Sequence, residues 1–349
     1  MVDKKLALVP IETSPFNAET PMQALSEPLT PSQLFYVRNH FEMPHIDEGT
    51  WRLTVDGAVE RRLELSLEEL QNRPQRTEAV TLECAGNGRT GLVPPPEGTP
   101  WNQGAVGTAR FTGTPLSLLL SQANPLSNAV EVFFVGADEG DVGGGRIERF
   151  ARSLPLDVAR DPKTLLVWAM NGEPLSREHG FPVRLVLPRW YGIASVKWLA
   201  NISVLTQPFS GYFQTEQYLY VNERGTPELT PVTLMRVRAV IGRPSDGTEV
   251  ALGSMEIAGT AWSGSGSIGR VEVSTDEGHS WSEAELGSAP SLHAATPWRF
   301  AWDIERPGTY TLIARATDAA GNSQPRDPVW NANGYGNNAV HSVRISVAG

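Results

Sequence analysis

A chain of 349 residues with 40% hydrophobic and 19% charged side chains is long enough for about two folded domains and too apolar to be disordered. Its net charge of -10 argues against a nucleic-acid-binding surface, and its single cysteine excludes an intramolecular disulfide and a CxxC zinc site. No apolar run approaches the roughly 20 residues that cross a bilayer, and the apolar segment at 6–9 is too brief for a signal peptide. The expectation is a soluble protein with no membrane partner, cytoplasmic as numbered, or periplasmic if a leader has been removed.

Residues 1–33 carry Pro, Glu and Ser with little period, which predicts a surface arm over 1–30. Leu34-Phe35-Tyr36-Val37 follows as an apolar, strand-like run. Residues 51–57 alternate apolar and polar and end in Asp56-Gly57, a strand entering a turn. Ser66-Leu67-Glu68-Glu69 is a capping box before Leu70, and Pro74 stops that helix. The run Ala79, Val80, Leu82 delivers Cys84 into a Gly86-Asn87-Gly88 turn that closes on Arg89. Further strands are expected at 131–135, 183–187 and 196–205, with short helices near 115–122 and 153–160. Strands and Pro/Gly turns dominate, so the first domain, 31–225, reads as α+β with a mixed or antiparallel sheet. The boundary falls at 207–230, where Gln207-Pro208, Gly225-Thr226-Pro227 and Thr230-Pro231 cluster. Beyond it, short strands recur near 233–241, 250–262, 269–275, 281–286, 298–303, 309–317 and 339–347. This predicts an all-β immunoglobulin-like sandwich over 232–349, packed around Trp262, Trp281, Trp302 and Tyr310.

A lone cysteine at a strand end beside an arginine reads either as a buried small hydrophobe or as a thiolate poised to bind a metal. Arg38-Asn39-His40, His179 with Arg184, and the small-residue loop 192–196 running into Lys197 supply cationic and imidazole donors suited to an anion. Neither Gly143-Gly144-Gly145 nor Gly86-Asn87-Gly88 has a dinucleotide-binding context, and there is no Walker motif.

Six segments, taken in order, carry a resemblance. They are 35–40 (Phe-Tyr-Val-Arg-Asn-His), 82–89 (Leu-Glu-Cys-Ala-Gly-Asn-Gly-Arg), 170–175 (Met-Asn-Gly-Glu-Pro-Leu), 179–184 (His-Gly-Phe-Pro-Val-Arg), 196–199 (Val-Lys-Trp-Leu) and 328–331 (Pro-Val-Trp-Asn). Together they resemble the sulfite oxidase family of molybdenum enzymes, from about residue 30 to the C-terminus. The resemblance implies a molybdopterin domain of mixed sheets with short helices, followed by a dimerisation sandwich. It implies Cys84 as the protein ligand to molybdenum, the pyranopterin dithiolene supplying the other sulfurs, which suits a soft thiolate. It implies His179, Arg184 and Lys197 as anchors of the cofactor phosphate, Asn39 and His40 as its lining, and Asp138 as acceptor for the pterin's amino edge. Arg38, Arg89 and Arg299 match a ring of arginines around the substrate, and Trp101 and Tyr218 an aromatic pair. The implied reaction is oxidation of sulfite, or a related oxyanion, to sulfate by oxygen-atom transfer. Electrons then pass to a separate acceptor such as a cytochrome, since no haem-attachment motif occurs in the chain. A homodimer is implied, with Trp330 and Tyr335 as apolar candidates for its interface. This chain departs from the vertebrate pattern at Gly88 and in the loop 90–100, which here contains Pro94-Pro95-Pro96. The nearest alternative is a nitrate reductase of the same fold, which Arg299 and Tyr218 argue against. Two others are a non-catalytic adhesion or scaffold protein with an immunoglobulin-like module, and a hydrolase using Cys84 with His179 or His40.

Overall fold

Two sheets organise the N-terminal half of the computed structural model, which describes residues 6–221 and 227–349. One sheet is antiparallel, in the order Glu173–Pro174, Leu165–Met170, Val106–Pro115, Arg76–Glu83, with Arg184–Val186 also paired to Leu165–Met170. The other is mixed, in the order Leu63–Leu65, Leu53–Gly57, Leu199–Leu205, Glu131–Asp141, Ile147–Pro155, with Leu199–Leu205 parallel to Leu53–Gly57. Helices are short. Leu67–Gln71 starts at a capping box in which Ser66 Oγ accepts from Glu69 N–H and the Glu69 carboxylate accepts from Ser66 N–H. Leu116–Ala123 buries Leu116, Leu119, Leu120 and Ala123, the i, i+3, i+4, i+7 stripe that a surface helix turns to a core. Among the described residues no helix is long and apolar enough to cross a membrane.

The C-terminal part is a sandwich of two sheets. One takes Arg238–Arg243, Gly253–Trp262, Thr296–Ile304 and Glu285–Leu286 in that order. The other takes Thr248–Ala251, His341–Ala348, Gly308–Asp318, Ile268–Ser274 and Ser282–Glu283. Its core holds Ile257, Val271, Leu312, Ile345 and the fully buried Trp298. Trp302 and Tyr310 pack on that core edge to face, with ring centroids 4.9 Å apart.

Several expectations are corrected. Leu34–Val37 is not a strand: Ser32–Leu34 is a 3₁₀ turn, and Val37 makes only an isolated bridge to Ala18. The N-terminal segment is more than a surface arm, since it forms the hairpin Val9–Thr13 with Phe16–Glu19 and buries Asn17 to Thr20. Residues 153–155 belong to a strand, the helix being Leu156–Ala159. Residues 196–198 precede their strand, because Trp198 adopts a positive φ of 49° there. Trp262 packs in the N-terminal core rather than the sandwich core, and Trp281 lies under the Arg315 guanidinium, 4.0 Å from its ring centroid. Of the expected linker, Gly225 and Thr226 lie outside the described residues, as does the expected domain end at 225.

Candidate cofactor and oxyanion site

Arg76–Glu83 is buried over its last five residues, so the chain leaves it facing inward and Cys84 emerges at the sheet end with its N–H bonded to Ala105 O at 2.8 Å. The following turn is fixed from both halves of the molecule. Glu83 Oε1 accepts from Arg238 Nη1 at 2.9 Å and Asn87 Nδ2 at 3.0 Å, and Oε2 accepts from Trp262 Nε1 at 2.8 Å. Asn337 Nδ2 donates to Gly88 O at 2.7 Å, and Gly336 N–H donates to Ala85 O at 2.8 Å. Gly88 sits at φ 84°, in the left-handed region, and the Arg238 guanidinium fills the space a side chain there would need. Sandwich residues thus hold the loop that presents the only thiol.

That thiol opens into a cleft of about 650 Å³, part of it open to solvent. The structure brings Arg38, Asn39, His40, Asp138, His179, Arg184, Lys197 and Tyr218 to the same walls, eight residues expected from the sequence besides Cys84. Lys197 Nζ donates to Asn39 Oδ1 and to Glu178 O, and Arg184 donates to His179 O at 3.1 Å and Ser195 O at 3.2 Å. Glu178 also lines the cleft. A break in strand register between Val135 and Glu139 turns Asp138 inward, and its carboxyl leaves no room for a side chain at Gly136. Asp138 Oδ1 is buried without a hydrogen-bond partner. Burial pushes Asp138 up to about 6, against the pull of Lys197. It also drives Lys197 well below the usual lysine range, with Arg184 acting in the same sense. His179 is lowered to about 4 by burial and then by Lys197. The Cys84 thiol is raised by burial. Arg38, not the Arg89 suggested by sequence proximity, is the larger charge opposing that rise.

At one side of the cleft, Tyr218 Oη lies 2.7 Å from His40 Nε2. Burial holds His40 well below the usual imidazole range, and Arg38, Lys197 and Arg152 push it further down. Tyr218 is raised by burial first and then by Tyr335, which stacks on it at 4.7 Å and 14°. The Arg89 guanidinium lies 5.4 Å from the Tyr335 ring centroid and donates to Thr99 O at 2.7 Å and Asn333 O at 3.0 Å. Arg89 therefore stands beside the cleft instead of on its wall. Trp101 is fully buried in one cluster with Cys84, Phe35 and Tyr36, and it too is behind the wall.

Arg299 is not brought to this site. It is exposed on Thr296–Ile304, opposite Ala258 and Glu285, because strand alternation turns Trp298 into the sandwich and Arg299 out of it. The C-terminal contribution comes instead from the loop 331–338. Tyr335 and Asn333 were not singled out as site residues, although a Gly/Asn-rich stretch, with its turns and close approaches, was visible there. Arg152 was also missed. The available signal was an arginine inside the apolar strand Phe150-Ala151-Arg152-Ser153-Leu154. Tyr335 is buried against the N-terminal half, while Trp330 is half-buried and donates to Pro94 O at 2.8 Å.

The chain is similar to known proteins along most of its length. The family model described as "Oxidoreductase molybdopterin binding domain" matches residues 40–213, and "Mo-co oxidoreductase dimerisation domain" matches 230–348. The sulfite oxidase of Gallus gallus is 37% identical over 353 residues, covering 94% of this chain and 75% of that protein. The chain belongs to the sulfite oxidase family. The mitochondrial sulfite oxidase of Rattus norvegicus is 37% identical over 356 residues, covering 95% of this chain but only 64% of that protein, so this family member spans less than two thirds of its length. The crystal structure of the sulfane dehydrogenase SoxCD from Paracoccus pantotrophus superposes with a TM-score of 0.84 at 28% identity, over 98% of this chain and 86% of that one. The sulfite oxidase fold, a mixed-sheet cofactor part followed by an immunoglobulin-like sandwich, is thus common to both comparisons.

Proposed function

We propose that this protein is a molybdopterin-dependent oxidoreductase that oxidises sulfite to sulfate and hands the electrons to a separate acceptor such as a cytochrome. The observation that carries the reading is the meeting of the sole thiol, Cys84, with a cationic cleft containing an unpaired buried carboxylate oxygen on Asp138. These residues fit the cofactor. Arg184, Lys197 and His179 offer donors to a phosphate, Asp138 Oδ1 an acceptor to an amino group, and Cys84 one soft sulfur ligand. No cluster of three or more His, Cys, Asp or Glu suited to a metal occurs among the described residues, so a cofactor bringing its own sulfur ligands is the consistent partner. When bound, molybdopterin supplies the two-electron, oxygen-transferring chemistry. The chain's own residues bind and orient. Arg38 on the cleft wall offers charge-assisted donors to an oxyanion, and Tyr218, hydrogen-bonded to a neutral His40, offers a hydroxyl that donates or accepts there. Arg89 and Trp101 support from behind, the first by charge and the second by packing.

We further read the chain as an N-terminal segment over 1–30 that packs its hairpin into the fold, a cofactor domain over 31–225 and a sandwich over 232–349 that pairs two copies. Support for pairing is the dimerisation-domain match over 230–348, and Tyr335, stacked on Tyr218, is engaged within the chain. A nitrate-reducing activity is the second reading, and the placement of Arg299 bears on it, because Tyr218 alone now argues for sulfite. The deciding experiment is steady-state turnover of the cofactor-loaded protein. Sulfite-dependent reduction of ferricyanide supports the proposal. Nitrate reduction by a reduced dye, with no sulfite turnover, replaces it by the second reading.

A further inference from the structure

Arg152 is 1% exposed, yet no carboxylate pairs with it among the described residues. Its Nη1 donates to Phe213 O, and its buried Nε has no partner. The guanidinium lies 6.0 Å from the Tyr218 ring centroid and contributes to keeping His40 neutral. Burial lowers it only to about 10, so it is charged at neutral pH. A buried, unpaired cation is costly unless an anion offsets it, and Tyr218, the ring next to Arg152, lines the cleft. Arg38 lines that cleft and Arg89 sits over Tyr335, which stacks on Tyr218. Three guanidinium groups therefore surround one pair of stacked tyrosines.

We propose that Arg152 is the third positive charge of the oxyanion site, a positioning and electrostatic residue that acts through Tyr218 and selects for a doubly charged tetrahedral or pyramidal anion. It stands in the role that Arg299 does not fill, and it comes from the cofactor half of the chain instead of the sandwich. The inference rests on the sulfite reading for its substrate, but its electrostatic content does not. A charge held behind the wall attracts a dianion about twice as strongly as a monoanion, whereas a mere packing role would not distinguish them.

The test uses cofactor-loaded wild type, Arg152→Met and Arg152→Lys. Sulfate and nitrate are the inhibitors, and the thermal midpoint is read with and without sulfate. In Arg152→Met, KM for sulfite and the inhibition constant for sulfate should each rise at least tenfold. The nitrate constant should rise about threefold and kcat should change less than KM. The sulfate-induced rise in thermal midpoint should shrink as well. Arg152→Lys, which keeps the charge, should restore sulfate binding to within about threefold of wild type. Equal changes for sulfate and nitrate, or a tenfold loss in Arg152→Lys, would overturn the proposal. If Arg152→Met does not fold, Arg152→Gln takes its place against the same thresholds. A wild type that binds sulfate in an Arg152-dependent way but does not oxidise sulfite would sink the functional reading and leave this inference standing. Normal sulfite turnover with Arg152-independent sulfate binding would do the reverse.

Discussion

Replacing Arg238 by Met probes how the sandwich holds the Cys84 loop. Glu83 and Arg238 are 1% and 2% exposed and 2.9 Å apart. Removing the cation leaves the Glu83 carboxylate buried with two neutral donors, Asn87 and Trp262. It also takes a donor from Asn87 O and Asn337 O. Breaking a buried pair from one side costs about 3–5 kcal/mol, because one charge is left uncompensated. Arg238→Met should lose an amount of that order in urea unfolding. Exposure of the loop should follow, read as faster reaction of Cys84 with an aromatic disulfide in cofactor-free protein. The double variant Glu83→Leu/Arg238→Met removes both charges and should be more stable than the sum of the single losses, by at least about 1 kcal/mol of coupling. A loss below about 1 kcal/mol in Arg238→Met, or strict additivity, would refute the claim that this pair ties the two halves together at the site.

Further outcomes follow from the same geometry. Arg38→Gln removes a charge-assisted donor from the cleft wall and should lower sulfite kcat/KM at least tenfold, equivalent to about 1.4 kcal/mol or more. Unchanged kinetics would remove Arg38 from the substrate site. Arg299→Gln, being exposed on the sandwich, should leave kcat/KM within about twofold, and a tenfold fall would contradict the outward orientation of that side chain. His341 is lowered to about 4 by burial, and its Nδ1 accepts from Ile241 N–H at 3.0 Å. The folded value lies below the unfolded 6.5, so this contribution is present above pH 6.5 and is lost as pH falls toward about 4. His341→Asn should flatten the thermal midpoint across that window, and an unchanged slope would show that another group controls it. Light scattering at micromolar concentration should give twice the chain mass, and a monomer persisting as concentration rises would refute pairing through 232–349.

How far the sequence was legible depends on whether the signal was local. The Ser66–Glu69 capping box and the apolar stripe of Leu116–Ala123 are set by neighbours in the chain, and both appear as expected. The Cys84 turn, the 35–40 run and the 179–184 segment carried six of the nine expected residues on the cleft walls, the other three being Asp138, Lys197 and Tyr218. What failed was long-range. Arg299 is an arginine on a strand beside a tryptophan, and only alternation against the opposite sheet decides which of the two faces inward. Arg152 drew no reading from the sequence, because Phe213 and Tyr218, which close over it, lie more than 60 residues later in the chain. Trp262 was assigned to the sandwich by position, but its indole N–H is needed by Glu83, 179 residues away.

The most direct test of the central claim is molybdenum content per chain, measured together with sulfite-dependent ferricyanide reduction, in wild type and Cys84→Ser. Wild type should hold about one molybdenum per chain and turn over sulfite. Cys84→Ser, where a hard and poorly deprotonated ligand replaces a soft one, should give a folded protein with turnover abolished. Full activity in Cys84→Ser, or a wild type that turns over sulfite without molybdenum, would contradict the assignment of Cys84 as the metal's protein ligand.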